Sequence, residues 1–131
     1  MAAMSGTSQN RGAVILAEDD EHVRFGLMLS CENAGYSVIS GTCVEIMAAA
    51  VDGGMTLGGR VRAVVTDWRL ESGVNGLSVI RAVRNVCGQD LRAVMISADT
   101  SPATRDRIEA AGVVLLCKPF AFSELLAEIE R

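Results

Sequence analysis

Short apolar runs alternate along this chain with longer segments of helical period, the pattern of repeated βα units and a parallel sheet. Five runs read as strands: Ala13–Ala17, Tyr36–Ser40, Val61–Thr66, Arg92–Ser97 and Val113–Cys117. The run at 61–66 is apolar on both faces, which predicts a central strand. Between them, Asp20–Ala34 carries Val23, Leu27, Met28 and Cys31 at spacings of three and four, an amphipathic helix closed by Gly35. Further helices are expected at Val44–Val51 and at Leu77–Val86, the latter with Leu77, Ile80, Ala82 and Val83 inward. Another opens at Ser101-Pro102, a capping hydroxyl followed by proline in the first turn, and closes at Gly112; the last spans Phe122–Glu130. The glycine-rich stretch Asp52–Arg60 reads as a mobile loop, and residues 1–11 as a flexible lead-in to a domain at 12–131.

Composition narrows the picture. At 131 residues the chain fits one domain with one ordinary core. Half of it is apolar, but it has only one tryptophan, one tyrosine and three phenylalanines, so aliphatic residues must build that core. A net charge of −4 argues against nucleic-acid binding, which needs clustered Lys and Arg. No stretch nears the roughly 20 apolar residues that span a bilayer, and no signal-peptide pattern is present. Cys31, Cys43, Cys87 and Cys117 lack C-x-x-C spacing and read as free thiols in a reducing compartment. The expectation is a cytoplasmic protein without membrane contact.

The chemistry gathers at strand ends. The first strand runs into Glu18-Asp19-Asp20, the third into Asp67 and the fifth into Lys118, the only lysine of the chain. Ligands of open α/β sheets bind at the carboxyl ends of parallel strands. Converging carboxylates there suit Mg²⁺, and a lysine on the same edge suits an anion such as phosphate. Plainer readings exist for each residue. The acidic run could simply favour the positive end of a helix, Asp67 could be a solvated turn residue, and Ser97 a strand-end hydroxyl. His22, in a first helical turn, reads as a surface residue. The glycines at 53, 54, 58 and 59 form neither a G-x-G-x-x-G fingerprint nor a P-loop.

Taken together, Val14-Ile15-Leu16-Ala17-Glu18-Asp19-Asp20 with Arg24, Val65-Thr66-Asp67, Met95-Ile96-Ser97-Ala98 and Lys118-Pro119-Phe120 resemble the receiver domain of bacterial two-component response regulators. The resemblance covers residues 12 to 131. It implies a doubly wound (βα)5 α/β fold of flavodoxin-like strand order 2-1-3-4-5, and a phosphoprotein of signal transduction rather than an enzyme acting on other substrates. Asp67 would be the phosphoacceptor. Asp19 and Asp67 would ligate Mg²⁺ (or Mn²⁺), Glu18 would act through water, and the Arg69 backbone carbonyl would be a further ligand. Ser97 and Lys118 would each meet a phosphoryl oxygen, and the Lys118–Pro119 bond would be cis. Arg69, Trp68, Ala98 and Asp99 would tune the site. The implied partners are a histidine kinase or histidine phosphotransfer protein, and a downstream protein or second copy on the face of the fourth helix, fifth strand and fifth helix. Ile108, Val113 and Leu125 lie in that region, though some of them must be core.

Two departures stand out. Leu115 occupies a position often aromatic in the family, and Ser97 replaces the commoner threonine. Arg69 and Asp99 are expected to form a salt bridge over the site. A phosphate-independent binding module of the same fold is the alternative reading. Phosphatases with an aspartyl-phosphate intermediate need a second aspartate where Arg69 stands, and a flavin would need a phosphate-cradling loop after the first strand.

Overall fold

The computed structural model describes residues 11–52, 60–68 and 74–131. Ten elements alternate strictly: β1 (Ala13–Ala17), α1 (Glu21–Asn33), β2 (Ser37–Gly41), α2 (Cys43–Val51), β3 (Val61–Asp67), α3 (Gly76–Cys87), β4 (Arg92–Ser97), α4 (Pro102–Ala110), β5 (Val114–Cys117) and α5 (Phe122–Glu130). The strands form one parallel sheet in the order β2-β1-β3-β4-β5, with β3 central as its two-sided apolar run requires.

Strand periodicity sorts the core into two layers. Ile15, Ala17, Val64, Ala93 and Met95 face one side, with Ile46 of α2, Val79 and Ile80 of α3 and Ile108 of α4. Val14, Leu16, Ala63, Val65, Val94 and Ile96 face the other, with Cys31 of α1 and Leu125 and Ile129 of α5. Local chemistry sets the helix starts. Asp20 caps α1 by accepting from the His22 and Val23 amides. Thr42 and Glu45 form a reciprocal capping box on α2. Ser101 caps α4 ahead of Pro102.

Several expectations shift. The second strand begins at Ser37 rather than Tyr36, because the Tyr36 amide is still bonded to the Cys31 carbonyl across the end of α1. Gly35 makes that reversal at φ 99°, a conformation open to glycine. Val23 is 42% exposed, so the buried stripe of α1 centres on Cys31 with Leu27 and Met28 beside it. In α3 the fully buried positions are Val79 and Val83 with Ile80, while Leu77 and Ala82 are half-buried flanks. Ile108, Val113 and Leu125 are all core, so none of them is available on the outer face of α4, β5 and α5.

Residues 1–10 of the expected lead-in and residues 53–59 of the glycine-rich stretch lie outside the described residues. Arg11, the last residue of that lead-in, stacks 5.0 Å over the Tyr36 ring, pairs with Glu130 and donates to the Ala34 carbonyl at 3.0 Å. Cys31, Cys43, Cys87 and Cys117 are free thiols. Among the described residues no helix is long and apolar enough to cross a membrane.

Candidate functional site

Parallel pairing brings the ends of β1, β3, β4 and β5 to one edge, and with them Glu18, Asp67, Ser97 and Lys118. The Lys118 Nζ donates to Asp67 Oδ2 at 3.2 Å. Ser97 is buried at the end of β4; its hydroxyl accepts from the Asp99 amide at 2.9 Å and donates to the Asp99 carbonyl at 3.2 Å. Asp67, Ser97, Ala98, Asp99 and Lys118 line a cleft of about 650 Å³. The Lys118–Pro119 peptide is cis, and the Lys118 amide bonds to the Ser97 carbonyl at 2.9 Å, which fixes where the lysine leaves β5.

The acidic residues after β1 are held by specific contacts. Glu18 is 5% exposed. Burial raises its pKa above the ordinary carboxylate value, opposed by the Asp20 amide hydrogen bond and Lys118 and reinforced by the charge of Asp67. Arg24, from the first turns of α1, donates to the Glu18 carbonyl at 2.7 Å and fixes the backbone there. Asp19 Oδ1 accepts from the amide of Cys43, the first residue of α2, at 2.9 Å. The Cys43 thiol is fully buried and pushed up to about 12, by burial first and by Asp19 next, with smaller contributions from Glu18 and Asp67. Asp19, Glu18 and Asp67 thus act electrostatically on one buried point. Among the described residues, no three carboxylate, imidazole or thiol groups form a ready metal cage.

Gly76 is a site-positioning residue that the sequence did not single out. A Cβ there would stand 2.5 Å from the Asp67 carbonyl oxygen and 2.4 Å from Met95 Sδ. Only glycine lets α3 start so close to the strand that carries Asp67. Its amide also accepts this approach, donating to the Trp68 carbonyl at 3.2 Å. The proximity of a helix start to a distant strand end leaves no local signature.

Trp68 is half-buried against the core layer that includes Ile108, with the Arg107 guanidinium 5.1 Å from its ring centroid. Asp99 turns toward α4: its Oδ1 accepts from the Ser101 amide and its Oδ2 from the Thr104 hydroxyl, both at 2.9 Å. The expected Arg69–Asp99 bridge and the Arg69 carbonyl ligand fall on residue 69, outside the described residues. His22 is exposed, as a surface histidine would be.

Known proteins share this fold. Residues 14–130 match the family model of the response regulator receiver domain. Over 120 residues the chain is 32% identical to YkoG, an uncharacterized transcriptional regulatory protein of Bacillus subtilis (strain 168), with 91% of this chain and 50% of that protein covered. The chain therefore spans about half the length of this curated relative. Chemotaxis protein CheY4 of Vibrio cholerae superposes with a TM-score of 0.76 at 24% identity, covering 92% of this chain and 97% of that one. A response regulator protein from Burkholderia pseudomallei, solved with a phosphorylated aspartic acid, calcium ion and citrate, gives 0.72 at 22% identity, with 90% and 65% covered. Sheet order, family match and relatives agree: the chain belongs to the response regulator receiver domain family of two-component signalling.

Proposed function

We propose that the chain accepts a phosphoryl group on Asp67 from a phosphohistidine of a histidine kinase or phosphotransfer protein. The observation that carries this reading is the 3.2 Å pairing of Lys118 with Asp67 inside a cleft that Ser97 also lines. A carboxylate oxygen of Asp67 attacks phosphorus as the phosphorus–nitrogen bond of the donor breaks, and the electron pair leaves on the imidazole, which takes up a proton. The product is a mixed anhydride; water later cleaves it to carboxylate and inorganic phosphate.

Two anions must meet for this to occur. Lys118 offsets the charge on the incoming equatorial oxygens, and the Ser97 hydroxyl exchanges its Asp99 carbonyl partner for one of them. Such positioning and charge stabilisation make up most of the catalysis of phosphoryl transfer. Mg²⁺ takes one or two carboxylates and keeps several waters. Asp19 and Asp67 fit that donor set, with Glu18 acting through water and the carbonyl of Arg69 as a further ligand. Glu18 is buried beside the charge of Asp67, and a cation there would offset both the burial and the repulsion. Bound Mg²⁺ supplies neutralisation of charge on the phosphoryl oxygens. The B. pseudomallei protein was solved with a phosphorylated aspartic acid and a calcium ion, which is in keeping with this reading.

Output passes to a downstream protein or a second copy through the face of α4, β5 and α5. Incubation with acetyl phosphate and Mg²⁺, followed by intact mass spectrometry, tests the acceptor. One added phosphoryl group, absent in Asp67→Asn, is the expected result. No addition from acetyl phosphate or from a panel of histidine kinases would leave a phosphate-independent binding module.

A further inference from the structure

The junction between β2 and α2 holds the acidic pair that follows β1. The two strands pair in register up to Ala17 and Gly41, and the Glu18 amide extends the ladder by bonding to the Gly41 carbonyl at 3.0 Å. Just beyond, Asp19 and Cys43 leave their strands side by side. One residue holds Asp19 there twice: its Oδ1 accepts from the Cys43 amide at 2.9 Å, and its carboxylate is hydrogen-bonded to the Cys43 thiol. Cys43 is itself fixed. It is fully buried as the first residue of α2, the Thr42–Glu45 capping box closes the turn around it, and Ile46 and Ala50 seat the helix in the core. A helix start needs acceptors for its amides, and the amide bond alone would meet that need. The thiol adds a second donor, turned to the same carboxylate.

We propose that Cys43 is a positioning residue of the cation site, its amide and thiol together fixing the Asp19 carboxylate in the orientation in which it meets Mg²⁺. The inference rests on Asp19 being a cation ligand. A carboxylate free to rotate must be ordered when the cation binds, and that ordering lowers the affinity. A carboxylate held by two donors is ordered before the cation arrives, which is what the hydrogen-bonded groups behind metal ligands achieve. The linkage is reciprocal. A cation on Asp19 pins the carboxylate that caps α2, so it also holds the first turn of α2 closed over the Cys43 thiol. Cys31 supplies the contrast. It is equally buried, but it lies in the last turn of α1 and in the opposite core layer.

The test is calorimetric titration of the full chain with MgCl₂ at fixed pH and ionic strength, in wild type, Asp19→Ala, Cys43→Ala and Cys43→Ser. The expected result is a dissociation constant raised about tenfold in Cys43→Ala. Cys43→Ser, whose hydroxyl again donates, should return to within a few-fold of wild type. A Cys43→Ala protein that melts lower but keeps the wild-type Mg²⁺ affinity overturns the inference and leaves Asp19 as ligand. So does a Cys43→Ser protein weakened as much as Cys43→Ala. Wild type that binds no Mg²⁺, or Asp19→Ala that binds it as wild type does, overturns the underlying reading of Asp19 as well. A second measurement needs no variant to fold: wild type is labelled with a maleimide, with and without MgCl₂, and each cysteine is read by peptide mass spectrometry. Mg²⁺ should slow modification of Cys43 several-fold more than that of Cys31. Equal slowing of both, the result of general stabilisation, overturns the inference.

Discussion

Lys118 reaches Asp67 across an intervening strand. The two residues leave β5 and β3, β4 lies between them, and Lys118 Nζ still comes within 3.2 Å of Asp67 Oδ2. The pair is partly open to water, with the lysine side chain 38% exposed, so its contribution to folding is about 0–1 kcal/mol. Its contribution to chemistry is larger, because a preorganised cation at a developing charge is worth roughly 10²–10³ in rate. Lys118→Met is thus expected to melt within a few degrees of wild type while losing about 10²-fold or more in phosphorylation rate by acetyl phosphate. A variant that phosphorylates normally would remove Lys118 from the mechanism.

Gly76 gives the opposite pattern. A methyl group there meets the Asp67 carbonyl oxygen at 2.5 Å, and backbone cannot swing aside as the end of Met95 can. Overpacking of this kind costs about 1–3 kcal/mol. Gly76→Ala is expected to lower the unfolding free energy from urea titration by that amount and to slow phosphorylation as well, since relief requires α3 or the end of β3 to move. Unchanged stability would mean that the start of α3 adjusts without disturbing Asp67.

The strands and the order of the site residues were legible because β1, β3, β4 and β5 each carry an apolar run that leads into a polar residue. Helix faces were less so. Val23 fits the apolar spacing of α1 but stands 42% exposed, and Val79 is fully buried in α3 although Leu77 and Ala82 had suggested a different stripe. Short helices tolerate two neighbouring stripes, and only docking onto the sheet selects one. The tertiary contacts of the site were not legible at all. Arg107 meets Trp68 across 39 positions of sequence, and Gly76 is needed only because Met95 and the Asp67 carbonyl lie beneath it.

The buried thiols predict the alkaline limit. Burial raises Cys31 to about 11, and burial with Asp19 raises Cys43 to about 12, both from 9.0. In that window the unfolded chain has released protons that the folded chain still binds. Stability is therefore fully present below pH 9 and falls as pH rises through about 11 to 12. The Tyr36 shift acts in the same direction. Urea unfolding across this range should show the decline, and Cys43→Ala should soften it. At about pH 8 both thiols should resist alkylation in the native protein, since the reactive form is the thiolate.

Asp19 separates a structural role from a metal-binding one. Its Oδ1 caps α2 through the Cys43 amide at 2.9 Å, which would by itself account for an acidic residue at this place. Asp19→Asn keeps an oxygen for that hydrogen bond and removes the charge; Asp19→Ala removes both. Without Mg²⁺, the asparagine variant should unfold close to wild type and the alanine variant about 1 kcal/mol lower. With Mg²⁺ the same gap between the two should remain, because neither variant holds the cation. A ligand that binds only the folded state stabilises it by RT ln(1 + [L]/Kd), about 2.7 kcal/mol at a hundredfold excess over Kd. Wild type should gain that increment over a chelator control, and both variants should lose most of it. If Asp19→Asn keeps the full Mg²⁺-dependent rise in Tm, Asp19 serves α2 alone, and the cation must be held by Glu18 and Asp67 without it.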